Sequence, residues 1–168
     1  MKKIAFSMCL LIGISAIIYA QETGVVSRFS FGGGMFLSNG FIEGGSADFA
    51  FLLYNKNYFD IRNHIVFRGG SLPNSSLILL SEKISFGGMA ANDWRVYCYI
   101  EGGIGITSNE SKRFFEKPFT YSIGGGGGTD LFYFNKSCIY FEAGVLCLIT
   151  DKKWSNGSIF QIGWKTWF

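Results

Sequence analysis

Residues 160–168, the last nine of the chain, read Phe-Gln-Ile-Gly-Trp-Lys-Thr-Trp-Phe. Successive side chains of a β-strand point to opposite faces, so residues two apart share a face. One face of this segment is mostly apolar and the other is polar or glycine, which predicts a two-faced strand. The apolar face carries Phe160, Ile162, Trp164, Thr166 and Phe168, and the polar face carries Gln161, Gly163 and Lys165.

Seven earlier segments show the same alternation, which predicts strands at 24–36, 45–54, 58–68, 77–88, 94–106, 119–133 and 137–150. The third is the clearest, because Phe59, Ile61, Ile65 and Phe67 alternate there with Asp60, Arg62, His64 and Arg68. The fourth is the least regular, since Glu82 falls on its apolar face. The chain therefore reads as a succession of eight amphipathic strands.

The amino terminus has the order of an export signal. Lys2 and Lys3 precede an apolar run at 4–18, and Ala20 stands at the position expected before cleavage. We expect residues 1–20 to be a cleavable signal peptide and residues 21–168 to form one domain. The rival interpretation is an uncleaved anchor helix, because the run approaches the length that spans a membrane. Removal of the signal leaves 13 basic and 12 acidic residues, a balance that does not favour nucleic-acid binding.

No later segment has 18 consecutive apolar residues, so a helical membrane span is not expected there. The chain is nevertheless 48% hydrophobic and 18% aromatic, with 23 glycines, a composition that suits membrane strands. In hydrocarbon an open sheet edge would leave backbone groups unpaired, so the sheet has to close. We therefore predict an all-β fold, an eight-stranded antiparallel up-and-down transmembrane β-barrel with its apolar faces toward lipid.

The connections between the predicted strands alternate in length. Those at 55–57, 89–93 and 134–136 are short, and those at 37–44, 69–76, 107–118 and 151–157 are longer. Short periplasmic turns and longer outer loops are typical of such barrels, with both chain ends in the periplasm. Aromatic residues collect near the short turns, which predicts an interfacial girdle made of Tyr54, Tyr58, Phe59, Trp94, Phe132, Phe134 and Trp167.

The polar faces carry most of the charged residues, and in a barrel these faces meet inside. The interior of an eight-stranded barrel is only wide enough for side chains to fill it. We expect a structural network of ion pairs there, with a gated proton or ion path as the alternative. Candidate pairs are Glu101 with Arg95, and Glu142 with Lys165 or Arg62. The predicted lumen network comprises Arg28, Asp48, Asp60, Arg62, His64, Arg68, Lys83, Arg95, Glu101, Asp130, Glu142 and Lys165.

The sequence indicates neither an enzyme nor a cofactor or metal site. His64 is the single histidine, and Val66 occupies the place, two residues on, where a barrel-type deacylase would carry its serine nucleophile. The five glycines at 124–128 lack the Lys-Ser/Thr and the helix of a phosphate-binding loop. They favour strand curvature or a bulge, and a small cavity in the lumen is an open alternative. Cys98, Cys138 and Cys147 are expected to be free thiols.

The whole mature chain resembles the small eight-stranded outer-membrane proteins, such as the OmpA transmembrane domain, OmpX and OmpW-like proteins. The likeness rests on the strand pattern, the loop asymmetry and the final Phe168, with Thr166 where another aromatic residue is common. It implies a place in the outer membrane among membrane lipids. It also implies that the barrel-assembly machinery recognises the last strand through Phe160, Ile162, Trp164, Thr166 and Phe168.

The expected function is non-enzymatic, because the alternating pattern is complete and the sequence shows no catalytic set. The barrel would contribute to envelope structure or would present its outer loops to partners. The segment from Lys112 to Lys117 combines charge with Phe114 and Phe115, and we expect a solvated loop end whose two Phe rings enter the outer interface. The alternative is a surface-ligand region for anionic lipid or a host surface. One alternative is a narrow channel or a small hydrophobic-ligand transport barrel of the OmpW-like kind. A remote alternative is a soluble lipocalin-like carrier, which would need an apolar interior.

Overall fold

The computed structural model of the chain describes residues 29–38, 42–56, 59–72, 75–109, 119–134, 136–150 and 153–168. Each strand pairs in antiparallel fashion with the next, and the first also pairs with the last, so that the sheet closes into a barrel. The predicted eight-stranded up-and-down barrel is confirmed. Among the described residues, no helix is long and apolar enough to cross a membrane. The strands are β1 Phe29–Ser38, β2 Ile42–Lys56, β3 Phe59–Leu72, β4 Ser75–Ala91, β5 Trp94–Asn109, β6 Phe119–Phe134, β7 Ser137–Thr150 and β8 Lys153–Trp167.

The two ends of the barrel are distinguished by their connections. The turn end carries the connections at 57–58, 92–93 and 135–136, and also the first residue of β1 and the last of β8. The loop end carries the connections at 39–41, 73–74, 110–118 and 151–152. Irregular register occurs between Leu52 and Tyr54, between Met89 and Ala91, and between Phe132 and Phe134. All three irregularities lie beside the turn end, as expected for bulges at a barrel rim.

The strands extend further toward the loop end than the hydropathy pattern predicts. The ladder of β4 and β5 reaches the pair Ser75–Asn109, and β8 begins at Lys153. The long loops expected at 37–44, 69–76 and 151–157 are therefore wrong, and only the connection at 110–118 remains long. The ladder hydrogen bonds form between backbone groups and do not depend on the side chains. Strand pairing therefore continues into segments with polar side chains, where the alternation of hydropathy has ended.

The side chains divide between the two surfaces of the sheet as the alternation predicts. Ile100 faces outward and is 60% exposed, whereas its neighbours Tyr99 and Glu101 face the lumen and are buried. The outer surface presents large apolar side chains on every strand, which is the reverse of a soluble protein. An apolar exterior around a polar interior is the arrangement of a transmembrane barrel.

The interior departs from the prediction at the loop end, where six apolar side chains meet in place of polar ones. They come from β1, β4, β7 and β8, which are brought together only by closure of the sheet. We call this group the apolar plug. It consists of Phe36, Leu77, Leu79, Leu146, Leu148 and Ile159, and all six side chains are buried.

Candidate functional site: the charged interior of the barrel

Below the apolar plug, the lumen holds a buried and balanced set of charges. Five carboxylates and five cations of the described residues face inward together with His64, and none is more than 8% exposed. Balanced charge is what a buried network requires, because an unpaired ion in such surroundings costs several kcal/mol. Arg28 lies outside the described residues. The set comprises Asp48, Asp60, Glu101, Asp130, Glu142, Arg62, Arg68, Lys83, Arg95 and Lys165.

The layer nearest the turn end is a cluster of two carboxylates held by two guanidinium groups. The Nε of Arg95 lies 3.0 Å from both carboxylate oxygens of Asp60, and its Nη1 lies 3.3 Å from Asp130 Oδ2. Arg62 approaches the same two carboxylates, at 3.0 Å from Asp60 and 3.4 Å from Asp130. The strand register allows the contact between Arg95 and Asp130, because the two residues lie directly opposite each other in the β5–β6 ladder. Planar guanidinium groups suit such bidentate contacts.

The middle layer is organised around two lysines. Lys83 Nζ lies 2.6 Å from Glu142 Oε1 and 3.6 Å from Asp48 Oδ2. Lys165 Nζ lies 3.4 Å from the same Asp48 oxygen. The Tyr97 hydroxyl donates a hydrogen bond to Glu142 over 2.8 Å. Each carboxylate therefore has more than one partner, which lowers the cost of burying it.

The layer below the plug is built on the ion pair between Arg68 and Glu101. Arg68 Nη2 lies 3.0 Å from Glu101 Oε2, and Nη1 contacts Oε1 of the same carboxylate. Gln161 accepts a hydrogen bond from Arg68 over 3.2 Å. The Gln161 amide donates in turn to Tyr140 and Ser46, over 2.7 and 2.8 Å. This side-chain amide links the ion pair to the barrel wall.

The pairs expected from the sequence are wrong. Glu101 pairs with Arg68 rather than Arg95, and Glu142 pairs with Lys83 rather than with Lys165 or Arg62. The observed partners reach across the lumen between strands that are not neighbours in the sheet. Which residues then lie at the same depth depends on strand tilt and stagger, which are properties of the closed barrel.

Three inward tyrosines fill the space that inward glycines leave. A methyl group at Gly128 would lie 2.7 Å from the Tyr97 ring, and one at Gly34 would lie 2.6 Å from the Tyr140 hydroxyl. A methyl group at Gly126 would lie 2.9 Å from the Tyr99 hydroxyl. Each glycine therefore makes room for a ring from another strand. At these three glycines, tyrosine rings occupy the space for which a small cavity was the open alternative.

His64 belongs to a hydrogen-bonded series that the sequence analysis missed. Its Nδ1 lies 3.0 Å from Asp48 Oδ1, and its Nε2 lies 3.0 Å from the hydroxyl of Ser85. The order carboxylate, imidazole, hydroxyl is that of a catalytic triad. Ser85 and His64 are 0% and 1% exposed, however, and Arg95 Nη2 lies 3.3 Å from the serine oxygen. These contacts enclose the serine oxygen within the charged network, where it is not open to solvent.

We predict that the folded protein does not react with a fluorophosphonate probe. The probe must reach Ser85 Oγ, which is enclosed by the network described above. Labelling of detergent-solubilised wild type should equal the background of Ser85→Ala, while a serine hydrolase in the same detergent is labelled fully. Labelling that is lost on substitution of either Ser85 or His64 would contradict the structural interpretation.

Other chemistry finds no support in the described residues. They contain no group of three or more His, Cys, Asp or Glu side chains that could hold a metal ion. Cys98, Cys138 and Cys147 are free thiols. The candidate ligand segment from Lys112 to Lys117 lies outside the described residues.

The last strand presents its apolar positions to the outside, as the alternation predicts. Phe168 is 70% exposed, and Phe160, Ile162 and Trp164 are also exposed. The backbone N–H of Phe168 donates to the carbonyl of Phe29 over 2.8 Å, and the two rings stack with centroids 6.0 Å apart. These contacts lie at the seam where β8 meets β1.

The aromatic girdle is confirmed at some positions and wrong at another. Tyr54, Phe59 and Trp94 are exposed on the outer surface near the turn end. Trp167 instead faces the lumen, where the Arg62 guanidinium lies 4.3 Å from the centre of its ring. Trp167 alternates with Phe168, so the period of the strand places it inside despite its aromatic character. Tyr58 lies outside the described residues.

Comparison with known proteins identifies the fold. No family model matches the chain, and no curated protein matches it. Among solved structures, Ail, the attachment invasion locus protein of Yersinia pestis, matches with a TM-score of 0.50 at 10% identity, over 84% of this chain and 96% of that one. Neisserial surface protein A matches with a TM-score of 0.52 at 13% identity, over 84% and 96%. The chain therefore has the fold of the small eight-stranded outer-membrane barrels.

Proposed function

We propose that this chain is a non-enzymatic integral outer-membrane barrel that strengthens the envelope or presents its loop end to partners outside the cell. The observation that carries the proposal is a closed sheet with an apolar exterior and a filled, charge-paired interior. An apolar surface of this extent needs a lipid environment, and closure satisfies the backbone groups within it. Such a molecule displays surfaces but offers no described reaction centre.

The proposal includes the path to the membrane. Residues 1–20 are a signal peptide cleaved after Ala20, residues 21–168 form the barrel, and the turn end lies in the periplasm. The barrel-assembly machinery binds the last strand, a role supported by the outward apolar positions of β8 and by the pairing of Phe168 with Phe29. The names of the two similar structures, an attachment protein and a surface protein, support display at the cell surface.

The alternatives receive less support. A channel needs a continuous path, whereas the apolar plug and the paired charges fill the described lumen. A lipocalin-like carrier needs an apolar interior, whereas ion pairs such as Lys83–Glu142 and Arg68–Glu101 occupy it here. An enzyme needs an exposed reactive group, and Ser85 is fully buried.

Heat-modifiable mobility and surface proteolysis test the proposal together. Detergent-extracted protein should run differently on a gel before and after boiling, since a closed barrel resists unheated SDS. Trypsin added to intact cells should cleave within 110–118, after Lys112 or Arg113, and should leave the rest of the chain intact. Extraction without detergent, or complete protection on intact cells with cleavage only after lysis, would contradict the proposal.

We predict that the purified wild type does not conduct ions in planar bilayers. Six apolar side chains close the lumen at one end, and hydrophobic constrictions exclude water and ions. The measurement is single-channel current over a range of voltages, with a porin in the same bilayer as the positive control. Stable current steps from the wild type would favour the channel alternative.

A further inference from the structure

The outer surface of β3 and β4 is interrupted by a polar pair in the middle of the apolar wall. The Asn63 side-chain amide donates a hydrogen bond to Glu82 Oε1 over 2.7 Å. Both residues occupy outward positions, and Glu82 is the eighth of the 17 residues of β4. Among the outward side chains that the structure describes, Glu82 is the only charged one away from the strand ends.

The surroundings of this pair are apolar. Glu82 stands opposite Ile65 in the ladder, and Asn63 stands opposite Ile84. The outward Leu80 precedes Glu82 by two residues and is exposed. Charged or polar groups at this depth are costly in hydrocarbon and mark functional positions. The barrel therefore carries a polar pair at a position where apolar side chains would have a lower free energy in lipid.

The hydrogen bond between Asn63 and Glu82 uses only part of the hydrogen-bonding capacity of the two side chains. Asn63 is 6% exposed, and its Oδ1 has no hydrogen-bond partner among the described residues. The second Glu82 oxygen and the second N–H of the Asn63 amide are also available, since a carboxylate accepts at both oxygens and an amide donates twice. The Asn63 Oδ1 atom is enclosed by the barrel itself, whereas Glu82 is partly exposed on the outer surface. Lipid at mid-barrel depth offers only hydrocarbon, so an additional partner for the groups at the outer surface has to come from protein.

The surface beside the pair leaves room for such a partner. Gly102 of β5 is the ladder partner of Glu82 and faces outward. A methyl group added at Gly102 would meet nothing closer than a carbonyl oxygen 4.0 Å away. The carboxyl group is therefore flanked by a notch in which the backbone of the sheet is uncovered. Small residues of this kind allow close approach of a neighbour within a membrane.

We infer that this surface, formed by Asn63, Glu82 and Gly102, binds a second copy of the chain. A second barrel inserted in the same direction brings its own pair to the same depth, and a two-fold axis along the membrane normal juxtaposes the two pairs. The free N–H of each Asn63 then donates to the partner copy's carboxylate. The interface is self-complementary, because each pair supplies both a donor and an acceptor. This inference rests on the membrane placement proposed above.

Sedimentation equilibrium in a density-matched detergent tests the inference. We expect the wild type to form dimers at high protein-to-detergent ratio. The double variant Asn63→Leu/Glu82→Leu should dissociate with a constant at least about tenfold higher, because the polar contacts across the interface are lost. Glu82→Gln retains hydrogen-bonding oxygen and nitrogen atoms and should dimerise. Ser158→Leu, which removes an exposed polar side chain on β8 across the barrel, is the matched control and should dimerise like the wild type.

Two results would overturn the inference: a monomeric wild type at every ratio, or double-variant dimers as strong as those of the wild type. Gly102→Leu fills the notch without changing the polar pair, and it should also weaken the dimer. This variant keeps the test decisive if the double variant does not fold. Heat-modifiable mobility of each sample shows whether the barrel is intact. If the proposed membrane placement is wrong, the wild type itself will lack heat-modifiable mobility. If only the dimer inference is wrong, the mobility will be normal and the protein will not dimerise as expected.

Discussion

Replacing Arg95 with methionine is expected to lower the free energy of unfolding by about 3–5 kcal/mol, the usual cost of breaking a buried ion pair from one side. Arg95 is fully buried and contacts both Asp60 and Asp130 at 3.0–3.3 Å. Its removal leaves two neighbouring carboxylates with Arg62 as their shared guanidinium. Ser85 also loses the donor that lies 3.3 Å from its hydroxyl. The loss is large because water has little access to the atoms left behind.

The measurement is urea-induced unfolding from lipid vesicles, followed by tryptophan fluorescence. Arg62→Met is the matched control, since Arg62 contacts the same carboxylates but is 8% exposed, and its loss should be smaller. Arg95→Lys should fall between the wild type and Arg95→Met, because lysine keeps the charge without the planar fork. Adding Asp130→Asn to Arg95→Met should recover part of the stability, because it removes one of the two buried like charges that Arg95 no longer pairs. A loss below about 1 kcal/mol for Arg95→Met would show that the network contributes little.

Gly126→Ala is expected to destabilise the barrel by about 1–3 kcal/mol, the usual cost of forcing extra atoms into a packed interior. The added methyl group would lie 2.6 Å from Gly144 Cα and 2.9 Å from the Tyr99 hydroxyl, and it would also contact the carbonyl oxygen of Ala143. Two of these three groups belong to the backbone of β7, which cannot turn aside as a flexible side chain can. The strands themselves would have to separate.

The adjacent glycine provides the control within the same run. A methyl group at Gly127 points outward and meets the Tyr97 carbonyl oxygen at 3.4 Å, an ordinary van der Waals distance. Gly127→Ala should therefore leave the free energy of unfolding unchanged or raise it by up to about 1 kcal/mol. Equal effects of the two substitutions in the same unfolding assay would mean that the run serves strand curvature alone. Such a result would show that contact with the Tyr99 ring is not the reason for glycine at position 126.

Several features of the site could be predicted because they depend on strand period alone. Alternation placed Asp48, Lys83 and Glu142 inside and Glu82 outside, and the structure has them there. The partners could not be predicted, since Lys83 on β4 reaches Glu142 on β7 across the lumen. The contact between His64 and Ser85 could not be predicted either, because Ser85 lies on the neighbouring strand β4 and not two residues from His64 on the same strand.

The apolar plug shows a second limit of the sequence. Leu79 and Leu146 lie at inward positions near the loop end, and the alternation itself indicates this. Hydropathy, however, suggests a lipid-facing role for leucine, and the two signals disagree there. Only the closed barrel resolves the conflict, since it brings these side chains together and leaves no water between them.

The amino-acid sequence by itself determined the number of strands, their antiparallel order and the face on which most side chains lie, because a strand's period of two is a local property of the backbone. The tertiary structure decided which charges pair, where the tyrosine rings lie against glycine and how the lumen is closed. Those contacts join residues far apart in the chain. Their depths are related only through the tilt and stagger that all eight strands adopt together when the sheet closes.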